Sequence, residues 1–454
     1  METIVEDILR WSPERIKELQ GKRLREAVSR CFRGHPHYRK LMERQGITPD
    51  DIQTIDDLEN FPVTTKADFV ANPEAFRLQL DDLPVEDQAL SRIIYTTGST
   101  TGVPAPVYVT AADHYDYMLR SVRRRDFIDI RKGDLMVSLF PLTPYPMGAA
   151  GRAIAEASAC GAALLETNPG HSGDLVSPHR RTAEIMELVL EHQPHILWGI
   201  PSYVLKFLKS VASTGQQLHR LRVVMVTGEG LSKAMEQNIR DAMTAVGAED
   251  NNVVNRYGST EQGSAMVECV PGSGFHDLAP DSVFMEVLDP ETGKRCPDGV
   301  EGELAFTHLN RSGTTLLRFA VGDRAVLSHE PCPHCGRTGS ARMVSGPFRS
   351  GDIVKVKGTL VNLAAMCDLV SKTPGVEDMQ VIVEYKDGLD SLRIRVAPHE
   401  SVSVDKDSFV DRVQRVVQKA TSITPQIETV SMGDLIGAAA AGKLRRVIDQ
   451  RKES

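Results

Sequence analysis

At 454 residues the chain exceeds a single hydrophobic core and predicts two or more domains. A hydrophobic share of 41 %, a charged share of 25 % and a net charge of −8 describe a soluble globular protein with no electrostatic footprint for nucleic acid. No apolar run is long enough to span a membrane, and Met1-Glu2-Thr3-Ile4-Val5-Glu6-Asp7 lacks the regions of a signal peptide; seven cysteines, mostly without disulfide-like spacing, fit a reducing cytoplasm.

Residues 1 to about 90 read as amphipathic helices, broken at Gly34-His35-Pro36 and Phe61-Pro62. Ser12-Pro13 is a helix start with proline at the first helical position. This region carries no catalytic signal, and His35 and His37 read as surface turn residues. Next comes Tyr95-Thr96-Thr97-Gly98-Ser99-Thr100-Thr101-Gly102-Val103-Pro104, between the β-rich runs Ile93-Ile94-Tyr95 and Val107-Tyr108-Val109. Glycine permits close backbone approach, turn amides form anion-binding nests, and hydroxyls add donors, so the stretch suits a polyphosphate. It is not a Walker A loop, because no Lys or Arg occurs from Ile93 to Leu119. A polar hairpin loop is the alternative.

From 90 to about 260, apolar β-rich runs alternate with helical patterns. Strands are expected at 135–140, 162–165, 196–198 and 222–226, and a helix capped by Ser232 over 234–245. That alternation predicts a largely parallel sheet covered by helices, with ligands beyond the carboxyl ends of its strands. Two such ends are chemically loaded: Thr227-Gly228-Glu229-Gly230, and Tyr257-Gly258-Ser259-Thr260-Glu261. In the second, the ring could stack on a base and the carboxylate could hold Mg²⁺.

Five motifs, residues 95–104, 228–230, 257–261, 321–323 and 442–443, occur in the order of the adenylate-forming acyl-CoA synthetase superfamily, which the chain resembles over roughly residues 60 to 450. The likeness is greatest to the phenylacetate–CoA ligase branch, through Cys332-Pro333-His334-Cys335-Gly336-Arg337-Thr338 and Gly442-Lys443-Leu444-Arg445-Arg446-Val447-Ile448-Asp449. The resemblance implies an α/β large N-terminal domain, of layered sheets and helices with a β-rich subdomain, over 1–348. A small mobile α+β C-terminal domain would span 349–454. It implies a two-step reaction in which a carboxylate attacks the α-phosphorus of ATP and a thiol, usually that of coenzyme A, then takes the acyl group. Thr97, Gly98, Ser99, Thr100, Thr101 and Gly102 would cradle the β- and γ-phosphates. Gly228, Glu229 and Gly230 would line the adenine site with Tyr257 stacked on the base, beside Gly258 and Ser259. Thr260 would contact the α-phosphate, Glu261 would hold Mg²⁺, and Asp323 would accept both ribose hydroxyls. Arg349 would assist at the ribose. Lys443 would reach the α-phosphate and the attacking carboxylate, supplying a cation that the phosphate loop lacks. By charge pattern alone Lys443 is a solvated lysine near a basic helix, and Asp323 alone is a turn residue.

The chain departs from the family in places. Its phosphate loop is one residue longer than the usual Gly-Thr-Thr-Gly, Ala105 stands where many members have lysine, and Gly351 replaces a charged hinge residue, with Asp352 as an electrostatic substitute. The stretch equivalent to the aryl branch's acid pocket is Phe140 to Gly148. Phe140 and Tyr145 keep the spacing of two pocket rings there, favouring an aromatic acid of phenylacetate or benzoate type over a short aliphatic one; core packing is the alternative role. An adenylating enzyme serving a carrier-protein thiol or an amine is the alternative to a CoA ligase. A nucleotide-binding protein without turnover is a third reading. Neither nucleic acid nor membrane is expected as a partner, and a homodimer is possible because relatives often dimerise.

Cys332 and Cys335 form a CxxC knuckle, and Cys269 and His276 lie upstream. Together they make a Cys₃His set, the composition of a closed structural Zn²⁺ site, with His334 and His329 as alternative fourth ligands. Residues 280 to 345 read as β-rich, with strands at 283–288 and 302–306. The tail has hairpins at 355–358 and 386–388, strands at 380–384 and 392–396, and a helical stripe of Phe409, Val413, Val416, Val417 and Ala420.

Overall fold

The structure, a computed structural model, describes residues 8–96, 104–142, 148–169, 180–338, 340–349, 353–356, 359–386, 389–399, 406–421, 423–436 and 446–450. Ser12 Oγ accepts from the Arg15 amide and starts helix α1 (Pro13–Gly34), with Pro13 where a missing N–H costs nothing. His35 caps α2 (Pro36–Gln45). Its Nδ1 accepts from the Tyr38 amide at 3.1 Å, and its Nε2 lies 3.1 Å from the Thr315 carbonyl. The expectation of a surface His35 is thereby corrected: the ring is fully buried, and burial lowers its pKa to about 3. His37 stacks on Phe76 at 4.2 Å between ring centroids.

Thr65 and Asp68 form a reciprocal capping box that opens α3 (Lys66–Ala71). After α4 (Val85–Gln88), strands β1 (Leu90–Tyr95) and β2 (Pro106–Thr110) pair antiparallel, with Tyr95 opposite Pro106. Then strands and helices alternate as the sequence predicts: α5 (Ala111–Ile128), β3 (Leu135–Ser138), α6 (Gly148–Cys160), β4 (Ala163–Glu166), α7 (Thr182–His192), β5 (Ile196–Gly199), α8 (Pro201–Ser213), β6 (Val223–Val226), α9 (Lys233–Ala245) and β7 (Asn252–Tyr257). Ser232 caps α9 by accepting from the Met235 amide at 3.1 Å. A β-rich run follows: β8 (Met266–Glu268), β9 (Phe275–His276), β10 (Val283–Leu288), β11 (Glu301–His308), β12 (Phe319–Ser328) and β13 (Arg342–Arg349).

One sheet takes these strands in the order β10-β11-β12-β13-β9-β8-β7-β6-β5-β3-β4. From β4 to β7 the neighbours are parallel; β7–β8, β8–β9, β9–β13, β11–β12 and β10–β11 are antiparallel. The β-rich region thus continues the parallel half as a single sheet. Strands β5 and β6 are buried at every position, as expected where helices cover both faces.

By its packing the chain divides into two units. The first comprises Met1–Gly199, Gln216–Gly228 and Gly247–Pro347; the second comprises Ile200–Gly215, Glu229–Val246 and Phe348–Ser454. In the second, β14 (Ile353–Val356) pairs with β15 (Thr359–Asn362), and α10 (Leu363–Ser371) precedes the long hairpin of β16 (Val376–Lys386) and β17 (Leu389–Pro398). Helix α11 (Lys406–Thr421), β18 (Gln426–Thr429), α12 (Met432–Ile436) and β19 (Val447–Asp449) complete it, in a sheet ordered β18-β17-β16-β19. Phe409, Val413 and Val417 enter its core, Val416 is half-buried and Ala420 is exposed, so the apolar stripe is narrower than the sequence suggests.

The first unit's interior is tied together by aromatic packing and by buried charge. Tyr38 packs near Phe61 and Phe76, and its hydroxyl donates to the Leu317 carbonyl at 3.0 Å, anchoring α2 to the segment before β12. Glu156 of α6 is fully buried between Arg256 Nη1 at 2.9 Å and Arg124 Nη2 at 3.3 Å, with Tyr117 donating to it at 2.8 Å. Burial pushes its pKa up, but the two guanidinium groups prevail and hold it at about 2.

Replacing Glu156 by Gln leaves two buried cations without an anion and is expected to cost about 3–5 kcal/mol in chemical denaturation at pH 7. Because the folded pKa is depressed, the pair's contribution is present above the usual glutamate value of about 4.5 and vanishes as pH falls toward about 2. The gap between wild type and E156Q should therefore be flat from pH 6 to 8 and close only in acid; a gap that narrows near neutrality contradicts the assignment.

Candidate active site

Open α/β sheets bind ligands at the carboxyl ends of their parallel strands. In this sheet β3 runs out into Leu139 and Phe140, β6 into Thr227 and Gly228, and β7 into Gly258-Ser259-Thr260-Glu261. The paired strands β1 and β2 flank the hydroxyl-rich stretch 97–103 in the sequence. At its base the Thr96 amide donates to the Ala105 carbonyl at 2.9 Å, and Thr96 Oγ1 accepts from the Ala105 amide at 2.9 Å. Thr97, Gly98, Ser99, Thr100, Thr101 and Gly102 lie outside the described residues, as do Tyr145, Gly351, Asp352 and Lys443.

Tyr257 and Asp323, 66 residues apart, meet: the Tyr257 hydroxyl donates to Asp323 Oδ2 at 2.8 Å. Asp323 lies within β12 rather than in a free turn, next to Gly322 at φ +82°, where the β11–β12 register shifts. A bulge of this kind re-aims a side chain. Beyond Tyr257 the backbone is crowded. A Cβ on Gly258 would lie 2.6 Å from the Ser264 carbonyl oxygen, and one on Gly148 would lie 2.7 Å from Thr260 Oγ1. Ser259 Oγ accepts from the Gln262 amide at 3.0 Å, and the Thr260 carbonyl accepts from Arg152 Nη2 at 2.9 Å. Phe140 is buried edge-on against Trp198, with 5.5 Å between ring centroids, so its packing partner here is a core indole.

Glu261 is buried, and its Oε1 lies 3.1 Å from Lys66 Nζ. Lys66 is a residue that no sequence motif marks. Its place follows from the strand-like bridge of Thr64 to Phe319, in which the Thr64 amide donates to Arg318 O and the Ala320 amide to Thr64 O, both at 2.9 Å. One local oddity could have found it: a lysine as the first residue of α3 opposes the helix dipole.

In the second unit, Glu229 faces other partners. Its carboxylate accepts from Ser202 Oγ at 3.1 Å and lies 3.8 Å from Arg446 Nη1. Gly228, the last residue before it, has φ +89°, a conformation that glycine adopts without strain. Arg349 ends β13.

The Cys₃His set converges. One ligand atom from each of Cys269, His276, Cys332 and Cys335 lies within 4.8 Å of the others. Cys269 Sγ and Cys332 Sγ are 3.8 Å apart, as are Cys335 Sγ and His276 Nε2. A tetrahedron with metal–sulfur bonds of about 2.3 Å has sulfur–sulfur edges of about 3.8 Å. The other histidines are not part of it: His329 pairs with Asp298 at 2.8 Å, and His334 is exposed. Burial lowers the His276 pKa to about 4, leaving the imidazole neutral and able to donate a lone pair.

Residues 35–310 match the family model for the AMP-binding enzyme, and residues 366–451 match its C-terminal domain. The chain belongs to the AMP-binding enzyme family. It is 26 % identical over 460 residues to a phenylacetate-coenzyme A ligase of Aromatoleum evansii, covering 98 % of this chain and 97 % of that one. It is also 26 % identical over 464 residues to a phenylacetate-coenzyme A ligase of Escherichia coli K12, covering 97 % and 96 %. Among solved structures, a 2-hydroxyisobutyryl-CoA ligase in the postadenylation state shares the fold with a TM-score of 0.81 at 22 % identity, over 99 % of this chain and 94 % of that one. No helix among the described residues is long and apolar enough to cross a membrane.

Lys66 is the sole ion-pair partner of Glu261 among the described residues, so Lys66→Met should destabilise the protein by about 1–3 kcal/mol. Adding Glu261→Gln should return part of that loss, because the stranded charge is removed. Denaturation of the two single variants and the double one measures the coupling; strictly additive losses contradict a direct pair.

Proposed function

We propose that the protein is an AMP-forming acid–CoA ligase that activates an aromatic carboxylic acid. The observation that carries the reading is the Tyr257–Asp323 contact at the end of β7: a ring able to stack on a base, hydrogen-bonded to a carboxylate able to accept ribose hydroxyls. The full-length similarity to phenylacetate–CoA ligases supports both the acid class and the acceptor.

A free carboxylate is a poor electrophile, whereas its mixed anhydride with AMP has a good leaving group. Catalysis is therefore electrostatic: charge on the five-coordinate α-phosphorus must be stabilised. The loop at Thr97 to Gly102 would hold the β- and γ-phosphates through amides and hydroxyls. Thr260 would donate to the α-phosphate, and Glu229 and Gly230 would border the adenine. Lys66 and Lys443 would supply cations, and Lys443 would also draw the attacking carboxylate oxygen to phosphorus. Glu261 has an oxygen donor set suited to Mg²⁺, which would neutralise phosphate charge when bound. The acid would lie along the segment from Phe140 to Tyr145, and Arg349 would steady the ribose.

The reading includes Zn²⁺ held by Cys269, His276, Cys332 and Cys335, as a structural clasp between β8–β9 and the loop before β13. It also includes a cytoplasmic location, which the seven free cysteines support.

The test is an acid panel scored by pyrophosphate release with and without CoA. Phenylacetate- and benzoate-like acids should give thioester with CoA, ahead of short aliphatic acids. Pyrophosphate release with no thioester would instead point to a carrier-protein or amine acceptor, and no acid-dependent release would refute ligase activity. Lys443→Ala should lower acid-dependent ATP–pyrophosphate exchange by about 10²–10³-fold while sparing thioester formation from supplied acyl adenylate. Equal loss in both halves contradicts its role.

Metal analysis of the purified protein should find one zinc per chain, lost in Cys332→Ser together with a lowered melting temperature. A wild-type protein with full stability and no zinc contradicts the site.

A further inference from the structure

One cleft of the first unit gathers more positive charge than its carboxylates balance. It lies between the β1–β2 pair, the first turns of α5 and α6, and the segment after β11. Arg92, Asp113, His114, Tyr117, Arg152 and Arg311 line it. Asp113 is the one carboxylate among these, and backbone amides already occupy its oxygens. Its Oδ1 accepts from Ser312 at 2.9 Å, and its Oδ2 accepts from Gly313 at 3.0 Å and Thr110 at 3.1 Å. Arg311 is 4 % exposed, yet its Nε and Nη2 have no hydrogen-bond partner, and Nε lies 3.7 Å from Asp113 Oδ1. Bare donors on a buried cation are costly.

Arg152 is the second unbalanced group. Its Nη2 donates to the Thr260 carbonyl at 2.9 Å, a neutral acceptor. The acids around it are engaged elsewhere: Glu261 with Lys66, Glu156 with Arg124 and Arg256, and Asp116 with Arg120. Burial lowers the Arg152 pKa to about 10, so the group is still a cation at neutral pH. The two guanidinium groups approach one loop, because a Cβ on Gly263 would lie 2.6 Å from Arg311 Nη1 and 3.7 Å from Arg152 Nη2. Each therefore raises the cost of the other's charge. Arg92, half-buried on β1, adds a third cation. Burial and then Arg92 hold the His114 pKa below the usual histidine value, so that ring brings no charge at neutral pH.

We propose that this cleft binds one small monovalent anion, chloride, between Arg152 and Arg311, with Arg92 at the mouth. The space open to the centre of a water-sized sphere is about 10 Å³, which suits a single halide and is too small for phosphate or sulfate. Guanidinium groups are weakly hydrated, so they exchange water for a halide readily. The ion would balance Arg152 while that side chain stays on the Thr260 carbonyl. No part of the proposed reaction is needed for the inference.

Thermal denaturation of the full chain in sodium chloride, against sodium gluconate at equal ionic strength, tests it. Each tenfold rise in chloride above the binding range should raise the melting temperature by about 1 °C, and bromide should substitute. Arg311→Met should abolish the rise. If Arg311→Met does not fold, Arg92→Gln carries the comparison and should shift the rise to about fivefold higher chloride. A crystal grown in sodium bromide should show an anomalous peak in contact with Arg152 and Arg311. A melting temperature indifferent to chloride, an unchanged rise in the variants, or bromide found only elsewhere overturns the inference.

Discussion

A triphosphate concentrates several negative charges in a few ångströms, and a turn of hydroxyls and glycines cannot neutralise them alone. From Ile93 to Leu119 the chain carries no lysine or arginine. Cations for the proposed chemistry must therefore arrive from segments distant in sequence. The ion pair between Lys66 and Glu261 shows how the fold meets part of that need, because it sets an ammonium beside the carboxylate proposed to bind metal. While paired, the two groups satisfy each other. In the proposed reading, a polyphosphate with a divalent cation would give each a stronger partner, and the pair would be the preorganised neutral form of that site.

The scaffold explains why these groups can be held so closely. Parallel strands β3, β5, β6 and β7 bring their carboxyl ends to one edge of the sheet, and the antiparallel half continues the same sheet out to β10. Tyr257 ends the last parallel strand, and Asp323 arises from β12, so one sheet fixes both halves of the contact. Behind them, Glu156 between Arg124 and Arg256 locks α6 against the end of β7. Arg152, one turn into α6, reaches the Thr260 carbonyl. A buried charged network demands defined geometry, since every unmet partner is costly.

Much of this was legible in the sequence, for identifiable reasons. Alternating strands and helices revealed β3 through β7, because fully buried strands read as apolar runs. The Cys₃His set was legible because thiol spacing is a sparse signal. What stayed hidden was pairing across distance. Lys66 sits in a helical region without catalytic character, and the bridge of Thr64 to Phe319 sets the start of α3 against β12, near Glu261. Glu229 looked like an adenine contact, and its engagement by Ser202 and Arg446 depends on packing that no local pattern records. His35 read as a turn residue because it precedes a proline, yet its ring is fully buried as a helix cap.

The most direct test of the central claim is a crystal structure with Mg²⁺ and a nonhydrolysable ATP analogue. The account predicts adenine stacked on Tyr257, ribose oxygens on Asp323 in place of the tyrosine hydroxyl, and Lys66 turned from Glu261 toward phosphate. A nucleotide bound elsewhere, with the Tyr257–Asp323 and Lys66–Glu261 contacts unchanged, would contradict it.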